Sequence, residues 1–273
     1  MGHDAHKSPL RAPAKLNLWL RLTGEKRADG RHELRSHFAP LALADYLRLT
    51  PANRLSLRLS GPFAAGVPDD DRNLVWRAFT GFTTGFGAQA PMHIHIEKNI
   101  PHGAGLGGGS SDAGALLSYL ARQAGIPLNE VCDWSVTLGA DIPAMIEPRS
   151  ILVSGVGEIC ERALPMPKAR VLLVKTAATC STGEVFQAWD PNRPRSRASQ
   201  NDLEAAAIQI CPEIATILTY LRATLDPQAQ MTGSGSACFA LLPVDRVLSP
   251  AELKVLAPYW TCLTDFAPTP SPG

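Results

Sequence analysis

Apolar and polar residues alternate from Arg11 to Thr23 in this chain. Leu16, Leu18, Leu20 and Leu22 fall on one side of an extended backbone, and Lys15, Asn17, Trp19 and Arg21 on the other. That period of two predicts a half-buried strand. After a turn at Asp29-Gly30, residues 32–43 predict a second strand ending near Asp45. Residues 46–49 and 55–59 alternate again around a turn at 51–53, so four strands precede any long helix. Residues 61–72 read as a polar loop, and 73–82 as a helix capped by Asp71 or Asn73. Met92, Ile94 and Ile96 mark a strand that runs to Lys98, and helix formers occupy 113–121, ending near Gly125. A glycine-rich stretch lies between these two segments.

Helical pieces continue over 128–138, and the break at 139–143 opens a short further helix with Asp141 at its cap and Pro143 just inside. Residues 150–154 and 157–161 predict strands around a Gly-Val-Gly turn. Val171-Leu172-Leu173-Val174 is fully apolar and predicts a buried strand. Helices follow over 182–189, 202–210 and 212–224, then a strand at 237–242, a helix near 249–256 and a strand near 259–264. The order is rich in strands first and mixed afterwards, without the regular alternation of a doubly wound sheet, so the class expected is α+β in two lobes. Residues 165–168 mark a boundary, giving domains over 1–163 and 164–273. Residues 1–9 read as a loose leader, 191–199 as a mobile Pro- and Arg-rich loop, and 267–273 as a disordered tail.

Composition narrows the function classes. The 273 residues are 45% apolar, enough for one large or two medium cores. A net charge of +1 with no basic stripe gives no support to a nucleic-acid partner. No run of 18 apolar residues exists to span a membrane. The six cysteines are scattered, with no C-x-x-C pair, which is the usage of a reducing, cytoplasmic compartment and does not indicate zinc. His93 and His95 share one strand face, read as solvated in preference to metal-ligating.

The chemistry concentrates in residues 101–112, where five glycines (Gly103, Gly105, Gly107, Gly108 and Gly109) precede Ser110, Ser111 and Asp112. A glycine loop running into a helix start offers backbone amides to an anion, and missing Cβ atoms allow close approach. Ser110 and Ser111 add hydroxyl donors or a metal ligand. The alternative is a flexible loop before a helix capped by Ser110 or Asp112. Neither usual phosphate-loop form applies. No strand-end acid follows about 20 residues on, and Gly109 stands where a P-loop has lysine. Read alone, Lys15 is an exposed strand lysine, Asp141 a plain cap, His32 a turn histidine and Phe186 helix core.

The wording P-x-G-A-G-L-G-G-G-S-S-D-A over 101–113 resembles the second signature of the GHMP kinases, small-molecule kinases that wrap such a loop around ATP phosphates. A-P-A-K-L-N-L at 12–18, G-A-D-I-P at 139–143 and M-T-G-S-G-S at 231–236 are similar to further motifs of that family, in the right order. The resemblance implies a two-lobed α+β kinase with the nucleotide loop and acceptor cleft between the lobes. ATP would be held by Pro101, Gly103, Ala104, Gly105, Leu106, Gly107, Gly108, Gly109, Ser110 and Ser111, with Mg2+ on Ser110; Asp112 competes for the metal or caps the helix. It implies Asp141 as the carboxylate that takes or orients the acceptor proton, and Lys15 as its cation. Asn17, Arg31, His32, Phe186, Gly233 and Ser234 would bind a small alcohol. Within that set His32 and Phe186 would contact a cytosine end, and Arg31 stands where the family has Tyr. Asn201 would be structural. The expected state is a monomer or weak homodimer.

Overall fold

The computed structural model describes residues 8–192 and 199–268. The leader residues 1–7, residues 193–198 of the Pro- and Arg-rich loop and tail residues 269–273 lie outside the described residues. Helices and sheets are both present, as an α+β chain requires. They form two compact units drawn from interleaved segments. The first takes Met1–Pro13, Ala44–Ile100 and Gly108–Glu147, and the second Ala14–Leu43, Pro101–Gly107 and Pro148–Gly273. The expectation above cuts the chain once, near residue 163. The interleaving arises because two long strands, β1 (Leu10–Lys26) and β2 (His32–Pro51), each give residues to both units. β2 is continuous where two strands are expected. Asp45 does not end it, because that carboxylate is fully buried and bonded.

In the first unit, residues Tyr46 to Pro51 of β2 pair antiparallel with β4 (Met92–Glu97), and β4 pairs parallel with β3 (Ser56–Ser60). α1 (Leu74–Phe86), α2 (Gly108–Ala124), α3 (Leu128–Ser135) and α4 (Ile142–Ile146) complete it. α1 starts where Asn73 Oδ1 accepts from the Val75 amide at 2.9 Å, a cap that fixes which expected residue begins the helix. Phe79, Phe82, Ile94, Ile96, Leu116, Leu117 and Leu120 share its apolar core. His93 and His95 hydrogen-bond Ser56 and Ser60 of the next strand at 2.9 and 2.8 Å, each through one ring nitrogen. Among the described residues no group of three His, Cys, Asp or Glu is placed to hold a metal.

In the second unit, β5 (Ile151–Ser154) pairs with Ser36 to Phe38 of β2, and β6 (Ile159–Ala163) lies beside β5. A separate four-stranded sheet has the order β10-β7-β9-β8, from Trp260–Asp265, Arg170–Lys175, Ala237–Leu242 and Gln230–Met231. Its central β7 carries the Val171 to Val174 run, buried as its unbroken apolarity predicts. α5 (Thr182–Ala188), α6 (Glu204–Ile210) and α7 (Glu213–Thr224) follow in order, and α8 (Pro250–Leu256) opens on a capping box between Ser249 and Glu252. The middle of β1 is covered on both faces: Lys15 and Asn17 are only 4% and 2% exposed. This overturns the half-buried reading, since polar side chains there bond to one another and to neighbours instead of to water.

Candidate functional site

In the second unit the glycine loop is held from behind by its carbonyls. Leu106 O accepts from the Lys15 amide at 2.9 Å, Gly103 O from Ser236 at 3.3 Å and Ala104 O from Ala237 at 3.2 Å. From Gly103 to Gly107 none of the amides donates to a described protein group. Gly103, Gly105 and Gly107 take φ of 61°, 74° and 68°, a region that disfavours L side chains. A Cβ on Gly105 would stand 2.2 Å from Thr232 O, and one on Gly233 2.8 Å from Gly105 O. The motif at 231–236 therefore packs backbone to backbone under the loop. Asn201 holds that motif by donating to Met231 O and Gly233 O at 2.9 and 2.8 Å. Ser234 Oγ lies 3.0 Å from Thr182 Oγ1 at the start of α5.

Lys15 is buried, not exposed. Its Nζ donates to Asn17 Oδ1 at 2.6 Å and lies 4.5 Å from the Phe38 ring centroid. Asn17 is fixed in turn: its backbone amide donates to Thr232 Oγ1 and its Nδ2 to Ser36 Oγ. A Cβ on Gly107 would stand 2.7 Å from Lys15 Cγ, so this glycine makes room for the lysine stem.

His32 lies 6.0 Å from Phe186 at 26° between planes, and 5.1 Å from Trp189 edge-on at 86°. Its Nδ1 is buried with no partner, and burial aided by Lys26 lowers its pKa, favouring the neutral ring. Phe186 is half-buried while Val185 fills the core, which removes the helix-core reading. Trp189 escapes the motif-by-motif reading. Its signal is an aromatic three residues after Phe186, one helical turn on. Among the described residues Arg31 joins no aromatic stack; its guanidinium is exposed and pairs with Asp29 at 2.7 Å. Beneath the motif at 231–236, buried Lys175 donates to the carbonyls of Thr176 and Ala178, and Ser236 Oγ donates to the same Ala178 carbonyl.

In the first unit α2 begins at Gly108, so Ser110, Ser111 and Asp112 lie inside the helix. Ser111 Oγ donates to Pro13 O at 2.7 Å, while Ser110 is half-buried. Asp112 neither caps the helix nor opens toward a metal. It is buried, its Oδ2 accepts from Lys98 Nζ at 2.5 Å, and the same ammonium pairs with Asp45. Burial pushes the Asp112 carboxyl up to about 7, with Asp45 adding and Lys98 opposing. Burial lowers Lys98, but the two carboxylates outweigh it and hold the ammonium above its ordinary value. Asp141 stands at the N-terminus of α4, and its carboxylate makes no capping bond there. α4 sits close to α2 because Gly114 has no side chain: a Cβ there would be 2.5 Å from Met145 O. Gly114 escapes the sequence reading, its only signal being a glycine inside a helical run.

Known proteins match this chain over most of its length. The model of the GHMP kinases N terminal domain matches residues 73–147. A curated 4-diphosphocytidyl-2-C-methyl-D-erythritol kinase of Jannaschia sp. (strain CCS1) is 35% identical, over 91% of this chain and 94% of its own. One from Cereibacter sphaeroides is 38% identical, over 91% and 95%. A crystal structure of 4-(cytidine 5'-diphospho)-2C-methyl-D-erythritol kinase superposes with a TM-score of 0.72 at 30% identity, over 94% of this chain and 99% of that one. Mevalonate kinase of Methanococcus jannaschii shares the fold at 12% identity, with a TM-score of 0.62.

Proposed function

We propose how this chain, a member of the GHMP kinase family and within it of the 4-diphosphocytidyl-2-C-methyl-D-erythritol kinases, carries out its phosphoryl transfer. It is an ATP-dependent small-molecule kinase. Its acceptor is the cytidine diphosphate-linked methylerythritol that the relatives' names specify, phosphorylated on its 2-hydroxyl in the non-mevalonate isoprenoid route. The observation that carries this reading is the glycine loop whose carbonyls at Gly103, Ala104 and Leu106 are bonded, while its amides from Gly103 to Gly107 donate to no described protein group. Such amides, with the helix start at Gly108, bind phosphate oxygens without a change of shape.

Phosphoryl transfer needs positioning and charge stabilisation more than covalent help. Pro101, Gly103, Ala104, Gly105, Leu106, Gly107, Gly108, Gly109, Ser110 and Ser111 hold the triphosphate in this reading. Ser110, half-buried in the first turn of α2, is the hydroxyl that would hold Mg2+, and that ion would supply neutralisation of charge on the transferring group. The acceptor oxygen forms a bond to the γ-phosphorus as the bond to ADP breaks, and its proton passes to the Asp141 carboxylate. Lys15, held by Asn17 and Phe38, supplies a cation for the developing charge. His32 and Phe186 face the cytosine ring, with His32 Nδ1 available to it, while Gly233 and Ser234 border the acceptor. Arg31 has a minor part, its charge being met by Asp29.

The six thiols are free, and no described helix is long and apolar enough to cross a membrane. Both features support a reducing, cytoplasmic setting. The test is a panel of alcohols with ATP. Turnover of the cytidyl substrate is expected. Turnover of homoserine or mevalonate in its place would make this a different GHMP kinase.

A further inference from the structure

Of the ion group around Lys98 only Asp112 belongs to a motif that marks the family resemblance, yet the group touches both ends of the glycine loop. Lys98 follows β4, two residues before Ile100, the last residue ahead of the loop. Its ammonium is bracketed by Asp45 Oδ2 from β2 and Asp112 Oδ2 from α2. Asp45 Oδ1 accepts two backbone amides, from Asn99 at 2.5 Å and Ile100 at 2.8 Å. The far end of the loop lands on the same spot. A Cβ on Gly108 would stand 3.1 Å from Ile100 Cγ2 and 3.5 Å from Asp45 Oδ2. All three charged side chains are 5% exposed or less.

This arrangement is poorly explained by stability alone. Burying charges costs several kcal/mol per ion, and apolar replacements of like volume are often as stable. Two carboxyl groups also share one ammonium, and Asp112 Oδ1 is buried with no partner. What the ions provide that an apolar cluster would not is fixed distances between three particular backbone segments. We propose that Asp45, Lys98 and Asp112 form a buried ionic clasp that sets the entry and exit of the glycine loop, making them positioning residues for ATP. They act through the loop and touch no reacting atom. The inference rests on the phosphate-binding reading of that loop.

The test compares steady-state kinetics of the full chain with Asp112→Ala and Asp112→Asn. Alanine removes the tie between α2 and Lys98 but leaves Lys98 paired with Asp45. Asparagine keeps an oxygen that accepts from Lys98. With alanine the KM for ATP rises about tenfold, as misplacement of a binding loop produces, while the KM for the alcohol changes less than about twofold. Asparagine restores most of the loss. An alanine variant whose KM for ATP stays within about twofold of the wild type overturns the proposal, as does an asparagine variant no better than alanine or an equal rise in both KM values. If Asp112→Ala does not fold, the triple variant Asp45→Asn/Lys98→Met/Asp112→Leu, which leaves no buried charge, takes its place with the same expected split and the same overturning results. A wild-type enzyme that does not use ATP would defeat the kinase reading itself. Normal wild-type turnover with an unaffected alanine variant defeats only the clasp.

Discussion

Two buried lysines in this chain are held in opposite ways. Lys98, in the first unit, is 4% exposed and sits between two carboxylates. Lys175, in the second, is 6% exposed and donates to two backbone carbonyls. Burial lowers the pKa of each, because it disfavours the charged form. At Lys98 the carboxylates reverse that effect and the pKa ends raised; at Lys175 nothing of comparable strength opposes burial and it ends lowered. Depth of burial therefore does not say what a lysine is for. The partner set does. An ammonium with two anions locks segments together and leaves them exposed to failure if it is lost, whereas one on carbonyls only finishes a turn.

The sharpest way to break this comparison is to remove each ammonium. Lys98→Met should cost about 3–5 kcal/mol in denaturant unfolding, since it strands two buried carboxylates. Lys175→Met should cost about 1 kcal/mol, near the net worth of an ordinary hydrogen bond. Equal losses would show that partner chemistry is not what separates them. Next in size is the catalytic contrast. Asp141→Asn should lower kcat roughly 100-fold or more with the melting temperature almost unchanged, as loss of an acid–base group does. Near-normal turnover would remove Asp141 from the reaction. Gly107→Val probes a third buried lysine by displacing the Lys15 stem. It should lower kcat about tenfold or more, a misplacement effect, and unchanged kinetics would show that Lys15 needs no fixed path.

The smallest effect expected is on pH dependence. His37 is buried against Ser150, and burial lowers its pKa from 6.5 to about 4. The unfolded chain then binds more protons in that window, so His37 makes stability fall as pH drops from 6.5 toward 4. Asp112, raised from 3.8 to about 7, works in the other sense: the folded chain holds the extra proton, and stability falls as pH rises through that range. His37→Gln should remove the acid-side loss and leave the Asp112 slope alone. Melting curves between pH 4 and 7 that are unchanged by this substitution would exclude His37 from the linkage.

Much of this was legible in the order of residues. The Met92, Ile94 and Ile96 alternation, the glycine run and the Val171 to Val174 run each fold as local pattern requires. The motif at 231–236 was legible only as a companion of the glycine loop, because the Thr232 carbonyl that excludes a Cβ at Gly105 lies far along the chain. The ion clasp was hidden for the same reason. Asp45 and Lys98 are 53 positions apart, and a buried aspartate in mid-strand looks like a strand end until its cation is seen. Lys15 misled in the other direction: alternation places it on a polar face but does not say that the face is covered. Trp189 and Gly114 matter through one neighbour each, His32 and Met145, which no periodicity reveals.

The interleaved course of the chain has a consequence for biosynthesis. Every segment of the first unit has been synthesised once Glu147 is added. The second still lacks most of its length, including Thr232, whose hydroxyl accepts the Asn17 amide across 215 positions. Early-made residues such as Lys15 and Asn17 must therefore wait, apolar neighbours uncovered, until the last third of translation supplies what covers them. A nascent chain stalled between these points would carry all of the first unit and an unfinished second one, and it is in that interval that a chaperone has most to do.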